Sequence, residues 1–130
     1  MRSALFRLLG AALTALAGTS VAAAADDGDL EIAFNDHCRE CHSFLKDDNR
    51  LGPSLYGVVG RKAGTEPGYG YSESLKDADV VWTAKTLDQW IADPQAVIPG
   101  NAMSPPYSGI TDPKIRKQII AYLETLHPKR

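Results

Sequence analysis

Cysteine is scarce in this chain of 130 residues: Cys38 and Cys41 are the only two. In an exported protein two cysteines would ordinarily read as a disulfide. A separation of two residues, with His42 directly following, changes that reading. Long hydrophobic runs are lacking too. Leu5 to Leu16 is the one apolar stretch, too short to span a bilayer comfortably, and nothing downstream resembles a second span. With Arg2 and Arg7 before it and Ala23-Ala24-Ala25 after it, the stretch reads as a secretory signal peptide rather than an uncleaved helix. We place the cut after Ala25, so that 1–25 is leader and 26–130 the domain, exported to the periplasm. Loss of Arg2 and Arg7 leaves twelve basic residues against sixteen acidic ones, a formal charge of −4. No basic stripe is present, which argues against a nucleic-acid partner. Internal repeats and domain linkers are absent, and no alternation runs long enough for a sheet.

What is there reads as an all-α chain of four short helices joined by Gly- and Pro-rich loops. The first is expected over Asp29 to His42, with Leu30, Ala33 and Phe34 on one face. Ser43 to Gly70 is a loop with six glycines and two prolines. So long a loop in so small a domain is expected to wrap something. A short helix is expected over Ser72 to Asp77. Thr83 should cap a helix from Ala84 to Ala92, stopped at Asp93-Pro94. A second Pro/Gly-rich loop holds Met103. The last helix opens on Asp112 and Pro113 and carries Ile115, Ile119, Tyr122, Leu123 and Leu126 on its apolar face. These few helices make a thin core, so the domain needs something further to fold around.

Cys38-Arg39-Glu40-Cys41-His42 is C-x-x-C-H, the attachment signature of haem c. On a helix the two thiols lie on one side, placed to add to the two vinyl groups of one porphyrin, and His42 follows as an axial iron ligand. Two other readings compete. A thioredoxin-like pair needs a βαβ context, and a zinc site needs more ligands than His37 and His127 offer. The sixth iron position falls to Met103, the one methionine outside the leader. A lone methionine is commonly core filler, but this one sits in a polar, Pro-rich loop, and a thioether favours reduced iron. His37, beside Cys38, cannot reach the opposite face and reads as a surface residue. His127 suits a helix C-terminus.

Several further segments appear in a familiar order. They are Leu51-Gly52-Pro53-Ser54-Leu55, Gly60-Arg61-Lys62-Ala63-Gly64 and Pro67-Gly68-Tyr69-Gly70-Tyr71-Ser72. Trp82, Leu87, Trp90, Ile91 and Pro94 follow, then Pro99-Gly100-Asn101-Ala102-Met103 and Ile120-Ala121-Tyr122-Leu123. From about Phe34 to Leu126 the sequence resembles the class I cytochromes c, the group of bacterial cytochrome c2 and mitochondrial cytochrome c. The resemblance implies short helices and long loops around one covalent haem c, and a His42/Met103-ligated iron. Pro53 would accept from the His42 imidazole, and Arg61, Tyr71 and Trp82 would bond a haem propionate. Trp90 would stand beside the methionine sulfur, and Phe34 would meet Tyr122.

Departures from the family pattern are Leu30 at a helix-crossing glycine and Leu75 at a frequent asparagine. The segment between Met103 and Gly109 is two residues longer than usual. The implied function is one-electron transfer between periplasmic donor and acceptor proteins, such as membrane-bound respiratory or photosynthetic complexes, by a monomer that is not an enzyme. A small haem peroxidase and a haem-bearing subunit of a larger complex are the rivals. Gln95, Ala96, Ala102 and His37 stand where the family often has lysine, so a strong cationic docking face is not expected. Pro105, Pro106 and Tyr107 would then either contact a partner or brace the loop.

Overall fold

The computed structural model describes Gly18 and residues 23–127. Most of the leader, and with it any view of its processing, lies outside the described residues. Five helices appear among them: α1 (Asp27–His37), α2 (Glu73–Lys76), α3 (Ala84–Ala92), α4 (Pro94–Val97) and α5 (Pro113–Thr125). Among the described residues there is no strand, only an isolated antiparallel bridge between Lys62 and Val81. Among the described residues no helix is long and apolar enough to cross a membrane. The all-α expectation therefore stands.

Each helix starts where a side chain answers its unpaired N–H groups. The Asp26 carboxylate accepts from the Asp29 N–H at 2.9 Å, so α1 begins two residues earlier than expected. Thr83 and Thr86 cap α3 reciprocally, each hydroxyl taking the other's backbone N–H. Asp112 caps α5 through the Lys114 N–H at 2.8 Å, with Pro113 in the first turn. The stop expected at Asp93-Pro94 is also a start. Asp93 closes α3 and caps α4, with Pro94 as its first residue.

The expected reach of α1 through His42 is corrected. The helix ends at His37, and Cys38 to His42 form a separate turn in which the Cys41 and His42 N–H groups both donate to the Cys38 carbonyl. The break turns His42 into the interior while Glu40 stays exposed.

The core is built where α1 crosses α5. Phe34 and Ile119 have no exposed surface, and Phe34 packs on Tyr122 with ring centroids 4.9 Å apart. Phe44 joins them edge-on, 6.2 Å from Phe34. Leu30 is accommodated half-buried without separating the two helices. From the other side α3 contributes Leu87, Trp90 and Ile91, α2 contributes Leu75, and the loops contribute Val58, Ala63, Trp82, Ile98 and Ile110.

The long loop satisfies its backbone partly from within itself and partly against its neighbours. Ser54 donates to the Leu45 carbonyl at 2.6 Å, and the Leu55 N–H donates to that of Ser43 at 2.9 Å. Asn49 bridges the Ser54 N–H and the Pro67 carbonyl. A loop so bonded is a fixed wall rather than a tether.

Candidate cofactor-binding site

His42 is held by two neighbours in the fold, Pro53 and Gly52. Its Nδ1 lies 2.8 Å from the Pro53 carbonyl oxygen. A carbonyl can only accept, so Nδ1 carries the proton and the Nε2 lone pair is left for an outside partner. Burial pushes the imidazole pKa down. The Pro53 bond opposes that shift and the Arg61 charge reinforces it, and the net is a lowered value that keeps the ring neutral at neutral pH. Gly52 makes the approach possible: a Cβ there would sit 2.6 Å from Nδ1 and 2.8 Å from Nε2 of the ring. The family-like Gly52-Pro53 pair thus has a mechanical meaning. The first residue gives the ring room, and the second supplies its acceptor.

Cys38 and Cys41 are free thiols, both half-buried. Burial, followed by the neighbouring Cys41, pushes the Cys38 thiol up to about 12. A dithiol redox pair needs the opposite, a thiolate near neutral pH, so the thioredoxin-like reading finds no support. Among the described residues no three His, Cys, Asp or Glu side chains converge as a metal site. Two unpaired thiols one turn apart and a neutral imidazole with a free nitrogen instead fit a covalently held haem.

Arg61 and Trp82 are brought together by backbone pairing. The Trp82 N–H donates to the Arg61 carbonyl at 2.9 Å, and the Ala63 N–H donates to the Val80 carbonyl at 2.8 Å. The guanidinium donates Nη2 to the Ser54 carbonyl at 2.9 Å and Nη1 to the Tyr56 carbonyl at 3.2 Å. It also pairs with Glu66, a residue that sequence reading passed over. That ion pair is deep, with side-chain exposures of 15% for Arg61 and 8% for Glu66. The Glu66 N–H donates to the Tyr71 hydroxyl at 3.2 Å. The sequence signal for Glu66 was weak: one acid in a Gly-rich loop looks like ordinary surface. Trp82 and Trp90 are buried side by side, centroids 5.2 Å apart. Leu75 lies in the core and adds no donor to this group.

Met103 is half-buried and packs against the core. Its N–H donates to Asn101 Oδ1 at 3.0 Å, and its carbonyl accepts from the Tyr107 N–H at 3.0 Å. The Tyr107 hydroxyl donates to the Ile91 carbonyl at 2.6 Å. Of the two readings for the lengthened segment, Tyr107 therefore follows the bracing one, while Pro105 and Pro106 stay exposed. Gly109, at φ +91°, closes the segment against α3, where a Cβ would strike the Ala92 carbonyl. His37 and His127 are both exposed.

The chain is 50% identical over 93 residues to cytochrome c2 of Rhodopila globiformis, across 72% of this chain and 86% of that protein. It is 43% identical over 93 residues to cytochrome c of Euglena viridis, covering 72% of this chain and 89% of the other. Among solved structures, cytochrome cH from Methylobacterium extorquens matches with a TM-score of 0.70 at 44% identity, over 78% of this chain and 99% of that one. No family model matches the sequence.

Proposed function

This chain belongs to the class I cytochromes c, and on that premise we propose that it carries one electron at a time between periplasmic redox proteins. The haem would be covalently held by Cys38 and Cys41 and its iron ligated by His42 and Met103. The observation that carries this reading is the His42 ring, buried and fixed by Pro53, with its other nitrogen unengaged. The group, when bound, supplies an iron that alternates between two oxidation states. The chain's own part would be to hold the two ligating side chains still, so that little has to move when charge changes. His42 is fixed by Gly52 and Pro53, and Met103 by Asn101 and Tyr107. Arg61, Tyr71 and Trp82 gather on one side, where a buried carboxylate would need donors. Trp90 would lie beside the thioether.

A closed iron favours electron transfer over peroxidase chemistry, and the test follows from that. Denatured protein should keep its haem stain on a gel, and Cys38→Ala with Cys41→Ala should lose it. The reduced protein should not bind carbon monoxide promptly at neutral pH, whereas Met103→Ala should bind it and show a lowered reduction potential. Prompt binding by the unaltered protein would favour the haem enzyme.

Docking would rest only partly on charge. Of the cations near the motif, Arg39 stacks 4.4 Å over the Phe44 ring and Arg50 pairs with Asp48 at 3.0 Å. Electron-transfer rates should therefore fall only gently across a salt series.

A further inference from the structure

The segment that carries Met103 is an exposed one: Pro99, Gly100, Ala102, Pro105 and Pro106 all face solvent. Surface segments with few buried contacts are where a fold opens first. Here two amide side chains hold the backbone closed. Asn101 is buried; it donates to the Ile98 carbonyl at 2.9 Å and accepts from the Met103 and Ser104 N–H groups at 3.0 and 2.9 Å. The second amide comes from outside the segment. Gln95, on α4, accepts from the Gly100 N–H at 3.0 Å through Oε1 and donates Nε2 to the Ser104 carbonyl.

We propose that Gln95 is a positioning residue for the axial methionine: its amide ties Gly100 to Ser104, on either side of Met103, and so holds the Met103 sulfur in place. The inference rests on the reading of Met103 as a ligand. Its chemical basis is that both atoms of one amide are used, one as acceptor and one as donor. The lysine frequent at this place in the family has no acceptor and could tie only the Ser104 end. A carboxylate could tie only the Gly100 end. The tie also starts from firm ground, since α4 is capped by Asp93 and its Pro94 is buried. Gln95 itself is exposed, so removing it empties no core site.

The experiment uses the haem-loaded oxidised protein and follows the rate at which added imidazole replaces the methionine, a rate set by departure of the sulfur. Gln95→Leu should speed that replacement by about five- to thirty-fold, the effect of one or two hydrogen bonds, with the resting visible spectrum unchanged. Gln95→Lys and Gln95→Glu should each fall between Leu and Gln. Asp112→Ala, which weakens the distant cap of α5, controls for general loss of stability and should leave the rate near that of the unaltered protein. A Gln95→Leu rate no faster than that of Asp112→Ala overturns the proposal. Should Gln95→Leu yield no loaded protein, a Gln95→Glu rate equal to the parent's overturns it equally. Met103→Ala separates this failure from failure of the ligand reading: if Met103 is not a ligand, that variant's spectrum and imidazole rate match the parent's.

Discussion

The two sides of the proposed cofactor site are held by different kinds of force. On the His42 side the ring is fixed by close approach. Gly52 leaves no room for a side chain, Pro53 offers a carbonyl, and the buried Arg61–Glu66 pair secures the next residue through the Ser54 carbonyl. On the Met103 side an exposed segment is fixed by hydrogen bonds from Asn101, Gln95 and Tyr107. Packing of the first kind is all or nothing, because an interior cannot yield by half an ångström without moving its neighbours. Hydrogen bonds on the surface are graded, each contributing about 1 kcal/mol. The first side should therefore fail abruptly and the second by degrees.

Gly52→Ala should give the largest effect. The added methyl would lie against the imidazole, so ring or loop must move, and we expect loss of haem-loaded protein, measured as haem stain per unit of protein. Normal loading with an unchanged spectrum would break the comparison at its strongest point. Next is Glu66→Ala, which takes from Arg61 its carboxylate partner in the chain and should cost about 3–5 kcal/mol in denaturant unfolding of the haem-free chain, less where a haem carboxylate takes its place. Arg61→Met combined with Glu66→Leu should cost the haem-free chain less than the two single changes added, because the two residues share one ion pair.

On the graded side, Asn101→Ala leaves the Met103 and Ser104 N–H groups and the Ile98 carbonyl without their side-chain partner. It should cost about 1–3 kcal/mol and speed imidazole replacement while leaving covalent attachment intact. Lost attachment would mean that the two sides fail together. The smallest effect belongs to Tyr71. Burial first of all holds its hydroxyl pKa above the ordinary value of 10.0. The folded state therefore keeps a proton that the unfolded chain gives up. Stability is whole below pH 10 and falls as pH rises through the folded value. Tyr71→Phe should flatten that alkaline fall in a series of unfolding curves, and an unchanged slope would remove Tyr71 from the cluster's account.

Much of this was legible in the chain itself. The caps at Thr83 and Asp112 placed α3 and α5, because a cap is local chemistry between residues two or three apart. The Cys38–His42 motif and the lone Met103 named both axial candidates, and Gly52-Pro53 marked the support of the first. Where sequence reading missed, the cause was tertiary. The end of α1 at His37 follows from the turn that buries His42, and helix propensity carries no sign of it. The start of α4 at Pro94 was hidden because Asp-Pro reads equally well as a stop or a cap.

Sequence by itself determined the residues that need no distant partner: the attachment motif, the caps and the scarcity of other ligands. Tertiary structure alone decided that Glu66 is an interior charge rather than a surface one, since only folding brings Arg61 against it. It also decided that Gln95 serves the Met103 segment, because the amide's two partners lie five and nine residues away. Those distances have no periodic signature along a chain. They are set where α4 and the segment meet in space, and only there do donor and acceptor find each other.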